Sequence, residues 1–215
     1  MKRISLILII IVCLASIIVY CKKDTKDVEV SEDETEFLCS CPHCVIYLQP
    51  YGDFTEKEAK SLVPILKKNF DTFLEGGWEF KVNPHKELPA DTYVKERDRY
   101  KAYNILKKMK QEFKSTSKKR EVYIGLTHKD ICTDLRGFKD FGIVGLSFCP
   151  GYVCIVSDKR ISDKTQMWKP VMHEFMHAFY GSKHCPNDDP HCFMKDAKGK
   201  PNFKIQNKLC DACRQ

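Results

Sequence analysis

The chain has 215 residues, of which 43% are hydrophobic and 30% charged, with 12 cysteines and a formal net charge of +7. Its lysines are scattered over predicted amphipathic helices rather than gathered with aromatic residues, which argues against a nucleic-acid-binding protein. We expect the lysines to lie on ordinary solvent-exposed helix faces. At most, they would give the protein a preference for binding acidic peptides or anionic surfaces.

Residues 1–20 are predicted to be a signal peptide or membrane anchor rather than part of the fold. Two basic residues precede an apolar run from Ile4 to Tyr20, which is typical of an n-region followed by an h-region. Cys21 directly follows the run, and we favour a lipidated Cys21 at the membrane of the cell envelope. Tyr20 is larger than the residue preferred before a lipidated cysteine. The alternative is therefore an uncleaved anchor, for which about 17 apolar residues are near the lower limit.

Residues 21–37 are predicted to be a flexible acidic tether, since they contain three lysines against seven Asp and Glu and little to bury. Residues 1–20 have a net charge of +2 and the tether has a net charge of −4, so residues 38–215 carry a net charge of +9. This remainder is long enough for one domain with a sizeable core, and we expect a monomer.

Apolar periodicity in residues 38–215 predicts an α/β (α+β) domain with a twisted mixed, mostly parallel sheet and crossover helices. An edge strand of such a sheet could pair with an extended peptide. The last predicted helix either begins near Trp168 or begins near Asp163 and bends at Pro170. The other predicted elements are strands at Val45–Leu48, Trp78–Val82, Glu121–Thr127, Phe141–Leu146 and Tyr152–Ser157, and helices at Thr55–Leu74 and Asp91–Phe113.

A histidine pair on the last predicted helix carries the strongest chemical signal. His173 and His177 are four residues apart, so both can direct an imidazole at one metal ion. Glu174 is too close to His173 to be an easy third ligand, but it is well placed to take a proton from a metal-bound water. Gly181 can end the helix in a left-handed conformation, which lets His184 reach the same metal. The alternative is a histidine pair that is merely packed in the core.

Four cysteines close to this motif follow a pattern of their own. Cys185 and Cys192 are followed by the C-x-x-C pair Cys210 and Cys213, which is typical of a closed, structural four-cysteine zinc site. The side chains of His184 and Cys185 can point apart, so one dipeptide could serve two metals. We therefore expect two zinc ions per chain.

The remaining cysteines indicate disulfides or a minor metal site rather than catalysis. The Cys41-Pro42-His43-Cys44 motif, which Cys39 precedes, has the C-x-x-C pattern of thiol redox proteins. No predicted strand of a thioredoxin-type unit precedes it, however. Cys149 and Cys154 could close a tight loop as a disulfide in an oxidising compartment.

The chain resembles the archaemetzincins (archaelysins), a family of zinc metallopeptidases. The resemblance rests on the His173–Cys185 motif, Cys192, Met194, the distal cysteine pair, and three further stretches: Val45–Pro50, Arg99–Ala102 and Val122–Thr127. It implies a zincin/metzincin-like domain in which His173, His177 and His184 bind the catalytic zinc. It also implies that Glu174 is the general base and that Met194 lies in the Met-turn beneath the metal.

Two departures from the family pattern affect the site. Three residues rather than two separate His177 from Gly181, which puts Lys183 at the family's third-ligand spacing. Lysine is a poor zinc ligand, so we keep His184 as the ligand and place the extra residue at the helix end, where one wider turn can absorb it. Cys185 and Cys192 are also farther apart than in the family.

Three functional hypotheses follow. We favour a membrane-attached, exported zinc metallopeptidase that hydrolyses peptide or protein substrates through a zinc-bound water activated by Glu174. The alternative is a zinc-binding scaffold of the same fold whose turnover was lost through the extra residue after His177. A thiol redox protein using Cys39–Cys44 is the weakest of the three.

Overall fold

The computed structural model describes residues 44–114, 120–135, 137–197 and 202–214. The predicted signal or anchor segment, Cys21, the tether, Cys39 and Cys41 lie outside these ranges. None of the helices described is both long and apolar enough to cross a bilayer. The helices are α1 (Glu56–Phe73), α2 (Ala102–Phe113) and α3 (Trp168–Tyr180). The strands are β1 (Cys44–Tyr51), β2 (Trp78–Val82), β3 (Tyr93–Val94), β4 (Arg99–Lys101), β5 (Glu121–Thr127), β6 (Ile131–Leu135), β7 (Phe138–Ile143), β8 (Gly145–Ser147) and β9 (Val153–Ser157).

The main sheet has five strands in the order β2-β1-β5-β9-β8. The first four are parallel, whereas β8 runs antiparallel to β9 and forms one edge of the sheet. This topology confirms the predicted mixed, mostly parallel sheet of an α/β domain.

Helices cover both faces of this sheet. Alternate strand residues point to opposite faces, so Val122 and Ile124 pack on the side of α1 and α3, whereas Tyr123 packs on the side of α2. The core beneath α1 and α3 is the larger of the two, and it includes an aromatic group formed by Phe70, Trp78 and Phe175. Helix α3 is therefore packed against the sheet through its apolar residues.

Helix α1 matches its sequence prediction closely. The Thr55 hydroxyl accepts a hydrogen bond from the Glu58 amide, and the Glu58 carboxylate accepts one from the Thr55 amide. This capping box fixes the start of the helix, and such a cap contributes about 1 kcal/mol.

The predicted helix at Asp91–Phe113 is wrong in its first half. The helix begins only at Ala102, and short 3₁₀ turns and the strands β3 and β4 precede it. Tyr100 and Lys101 pair with Ile131 and Cys132 in β6, and Asp98 has the left-handed φ of 50°. Pairing with a strand distant in sequence has therefore overridden the helical apolar spacing.

The predicted strand at Phe141–Leu146 is two strands that belong to different sheets. Strand β7 lies in a second, four-stranded sheet of order β3-β4-β6-β7, whereas β8 joins the main sheet. The chain changes partner at Val144, whose carbonyl accepts a hydrogen bond from the Ser157 amide at 2.7 Å. Strand β6, which completes the second sheet, was not predicted.

Helix α3 begins at Trp168, the first of the two predicted alternatives. Pro170 is its third residue, within the first turn, where backbone N–H groups have no partner inside the helix. A 3₁₀ turn, Lys164–Gln166, precedes the helix and is capped by the Asp163 side chain. The proline therefore does not bend the helix that carries His173.

Candidate metal centre and active site

Helix α3 presents His173 and His177 on one side and packs its apolar residues against the core. Met172, Phe175 and Met176 have no exposed surface, so the helix cannot rotate about its axis without opening the core. Both histidine side chains therefore have a well-defined position.

Backbone carbonyls determine which ring nitrogen of each histidine carries the proton. His173 Nδ1 lies 2.7 Å from the Phe193 carbonyl oxygen, and His177 Nδ1 makes a short contact with the Ser182 carbonyl oxygen. A carbonyl oxygen can only accept, so in both rings Nδ1 is the donor and Nε2 keeps its lone pair. Metal-ligating histidines usually donate their other ring N–H to a carboxylate, a backbone carbonyl or water.

The two Nε2 atoms face each other at 3.0 Å. Burial lowers the pKa of His173 and of His177 to about 4, so both rings are neutral at pH 7. Two lone pairs at this distance cannot hydrogen-bond to each other and would repel. A cation bound by both removes the conflict, and tetrahedral zinc with Zn–N bonds of about 2.0–2.1 Å would separate the nitrogens by about 3.3 Å. These donors fit a zinc ion.

His184 joins the pair from beyond the end of the helix. Its ring centroid lies 4.8 Å from that of His177 and 5.3 Å from that of His173. One nitrogen of each of the three rings lies within 4.8 Å of the other two. The structure thus brings the three predicted ligands together, whereas Lys183 is an exposed residue between Ser182 and His184.

The extra residue after His177 is accommodated at the helix end, as predicted. Gly181 has the left-handed φ of 64°, and its amide bonds to the Met176 carbonyl, five residues back. The Ser182 amide bonds to the same carbonyl at 3.2 Å. The last turn is therefore one residue wider than an α-helical turn, and the Ser182 carbonyl still reaches His177.

Glu174 is a buried carboxylate beside the histidines. Only 7% of its surface is exposed, and burial raises its pKa. The Ser147 hydroxyl of the edge strand β8 lies 2.5 Å from Glu174 Oε2. Sequence reasoning missed Ser147, because nothing in the residue order indicates that β8 lies against α3.

The edge strand has one free side. The backbone groups of Val144 and Phe148 that bond to the neighbouring strand point towards β9, as do those of Leu146, which is paired with Ile155. Because successive residues alternate, the N–H and C=O groups of Gly145 and Ser147 point away from β9. No residue of the described part of the chain bonds to them. This side can accept a further strand.

The four predicted cysteine ligands form a second cluster. Their sulfur atoms all lie within 4.8 Å of one another, and the Sγ atoms of Cys185 and Cys210 are 3.6 Å apart. That separation is too long for a disulfide, but it is near the roughly 3.8 Å between two thiolates on tetrahedral zinc. Cys192 and Cys213 complete the set.

Backbone amides surround this cluster. Burial acts to raise the pKa of Cys185, but hydrogen bonds from the amides of Asp189 and Asn187 and from the thiols of Cys210 and Cys213 together outweigh it, so the pKa is lowered. Amides of Cys210 and Met194 act in the same direction on Cys192, where burial remains larger and the pKa is raised. N–H groups directed at sulfur favour the thiolate form, which is the form that binds a metal.

The cysteine cluster and the histidine cluster are joined through a short segment. The Met194 carbonyl accepts a hydrogen bond from the Cys185 amide at 2.7 Å, and the preceding residue, Phe193, supplies the carbonyl that bonds to His173. The Met194 side chain is fully buried in the core shared with α3. Its role in a Met-turn stays a prediction.

The other cysteines within the described residues are free thiols. The suggested disulfide between Cys149 and Cys154 is not formed, because Cys154 is buried on the α3 side of strand β9 whereas Cys149 is exposed beyond β8. Cys44 is buried at the start of β1, and burial raises its pKa to about 12. Low reactivity of this kind does not suit a redox thiol.

Comparisons with known proteins bear on the fold. No protein-family model matches the chain, and no curated protein matches it. Among solved structures, the archaemetzincin of Methanopyrus kandleri is 23% identical, with a TM-score of 0.63 over 82% of this chain and 94% of that one. The archaemetzincin of Archaeoglobus fulgidus, solved with malonate, is 22% identical, with a TM-score of 0.56 over 79% of this chain and 97% of that one. The chain therefore has the archaemetzincin fold that its sequence resemblance implies.

Proposed function

We propose that this protein is a membrane-attached, exported zinc metallopeptidase. The observation that carries the proposal is the pair of opposed Nε2 lone pairs of His173 and His177, each oriented by a carbonyl on Nδ1. Such an arrangement is unfavourable without a shared cation, and His184 adds a third nitrogen. Three nitrogens leave one position of a tetrahedral ion open, as in catalytic zinc sites.

Each residue of the site then has a distinct task. His173, His177 and His184 hold the zinc, which when bound polarises a carbonyl and lowers the pKa of a water molecule. Glu174 accepts the proton of the attacking water and passes it to the leaving amine. A positioned acid–base group of this kind typically contributes about 10²- to 10⁴-fold to the rate.

The substrate is proposed to be a peptide bound in extended form along β8. The outward N–H and C=O groups of Gly145 and Ser147 offer it a strand partner. Because the Ser147 side chain contacts Glu174, a peptide paired with this strand would run past the general base. Backbone pairing does not depend on the identity of substrate side chains.

The cysteine cluster is proposed to hold a second, structural zinc. Four thiolates fill all the positions of a tetrahedral ion and leave none for substrate. The cluster joins Cys185 and Cys192 to the C-terminal pair at Cys210 and Cys213, and it steadies the segment whose Phe193 carbonyl orients His173. Its loss would therefore disturb both the fold and the catalytic site.

Membrane attachment through the N-terminus is the remaining part of the proposal. It is supported by the basic start, the apolar run, Cys21 and the acidic residues that follow them in the sequence. The tether would let the peptidase domain act at a distance from the bilayer, on peptides outside the cytoplasm.

A peptide-library screen with the full-length protein tests the proposed activity. We expect cleavage by the wild type and a loss of about 10²- to 10⁴-fold in kcat for Glu174→Gln, with zinc retained because Glu174 is not a ligand. Glu79→Gln, which changes an exposed glutamate on β2, is the matched control and should cleave normally. A wild type that binds zinc but cleaves no peptide would favour the scaffold alternative.

A further inference from the structure

We propose that Ser147 is a positioning residue that orients the Glu174 carboxylate, and that Gly145 is glycine because this carboxylate occupies the space of a side chain. The inference rests on the proposed peptidase function. It goes beyond it by assigning roles to two residues of the edge strand.

The Ser147 hydroxyl has two acceptors within reach on the same residue. Its Oγ lies 2.5 Å from Glu174 Oε2 and 2.8 Å from the Glu174 carbonyl oxygen. A hydroxyl has one hydrogen to donate, and a carboxylate is a stronger acceptor than a carbonyl. The hydrogen therefore goes to Oε2, the closer atom.

Gly145 lies against the other carboxylate oxygen. A Cβ atom at Gly145 would be 2.6 Å from both Glu174 Oε1 and Glu174 Cγ, well inside normal contact distance. Residues two apart in a strand share a face, so Gly145 and Ser147 confine the carboxylate together. Ser147 supplies a donor, and Gly145 supplies space.

Among the residues that the structure describes, Ser147 is the one that hydrogen-bonds to the Glu174 carboxylate. No lysine or arginine in these ranges forms an ion pair with it, and the terminal torsion of a glutamate side chain is intrinsically broad. Without a donor, the plane of the carboxylate would be poorly defined. The Ser147 hydroxyl is the group that defines it.

This contact links substrate binding to the general base. The backbone of Ser147 points to the free side of β8, where a peptide could pair, while its side chain holds Glu174. The position of the base relative to a bound peptide is thus set within a single three-residue strand. A change of strand register would displace both together.

Kinetics of the full-length protein with a cleaved peptide test the proposal. Ser147→Ala should lower kcat by about 10- to 100-fold, the range for one hydrogen bond to a charged group, with KM changed less than about twofold. Ser147→Thr keeps the hydroxyl and should recover most of kcat. Zinc content should stay near that of the wild type, because neither Ser147 nor Glu174 is a proposed ligand.

Ser157→Ala is the matched control. Ser157 is a buried serine on the neighbouring strand β9, and its hydroxyl donates to the Lys129 carbonyl oxygen at 2.6 Å. Removing the hydroxyl deletes this bond and the bond that it accepts from the Lys159 amide at 3.1 Å, without touching Glu174. The proposal is overturned if Ser147→Ala keeps its kcat, or if Ser157→Ala loses as much.

High-resolution crystal structures give a second measurement that needs no activity. We expect one Glu174 conformer bonded to Ser147 in the wild type, and a rotated or multiple carboxylate in Ser147→Ala. An unchanged carboxylate in the variant would overturn the positioning role. A wild type that cleaves no peptide refutes the proposed function, while these structures still decide the role of Ser147.

Discussion

Gly181→Ala is expected to destabilise the protein through the backbone alone. The residue has a φ of +64°, and a Cβ there would meet only Pro150 atoms at 3.6 Å and beyond, which is ordinary contact. The left-handed conformation costs a residue with a Cβ about 1–2 kcal/mol, and the lower entropy of the unfolded alanine chain offsets about 0.4–1 kcal/mol. A net loss of about 1 kcal/mol should lower Tm by about 2–4 °C for a domain of this size.

This substitution should also weaken zinc binding, because Gly181 leads into the Ser182 carbonyl that orients His177. Loss of such outer partners typically lowers metal affinity about 10- to 100-fold. Thermal unfolding and competition with a chelator measure the two effects. Gly137→Ala is the control, since Gly137 has a φ of +80° with nothing near a Cβ and lies in the β6–β7 turn. It should lose similar stability but keep its zinc affinity.

Gly181→Asn separates conformational strain from other causes. Asparagine adopts the left-handed conformation more readily than alanine, so Gly181→Asn should be more stable than Gly181→Ala. If both variants are equally destabilised, or if Gly181→Ala matches the wild type in Tm, the left-handed conformation of residue 181 does not determine the stability of the helix end. Equal loss of zinc in Gly137→Ala would refute the link to His177.

Three further predictions test the metal sites and the attachment. His184→Ala should lose the catalytic zinc and the activity while Lys183→Ala keeps both, and metal analysis with the reverse result would overturn the ligand assignment. Cys210→Ser should release one of two zinc ions and lower Tm, because a closed site contributes folding free energy; a wild type with one zinc ion per chain would refute the two-site proposal. Full-length protein should fractionate with membranes, and Cys21→Ala should lack an acyl chain by mass spectrometry, whereas an unchanged mass would favour the uncleaved anchor.

Local signals in the sequence determined several features that the structure shares. The Thr55–Glu58 capping box, the apolar spacing of α1 and the Gly181 helix end each depend on residues within one or two turns of each other. The choice of His184 over Lys183 was also a local inference, and the wide last turn of α3 shows how the extra residue fits.

Only the tertiary structure decided what depends on residues far apart in the chain. The helical spacing of residues 91–101 was overridden because Tyr100 pairs with Ile131, and the run at 141–146 was divided because Val144 bonds to Ser157. The carbonyls that orient His173 and His177, like Gly145 and Ser147 beside Glu174, carry no motif. The proposed ligands His173 and His177 could be predicted because a helix places residues four apart on one side. Their partners could not, because backbone carbonyls and small strand residues become specific only when the folded chain brings them to the site.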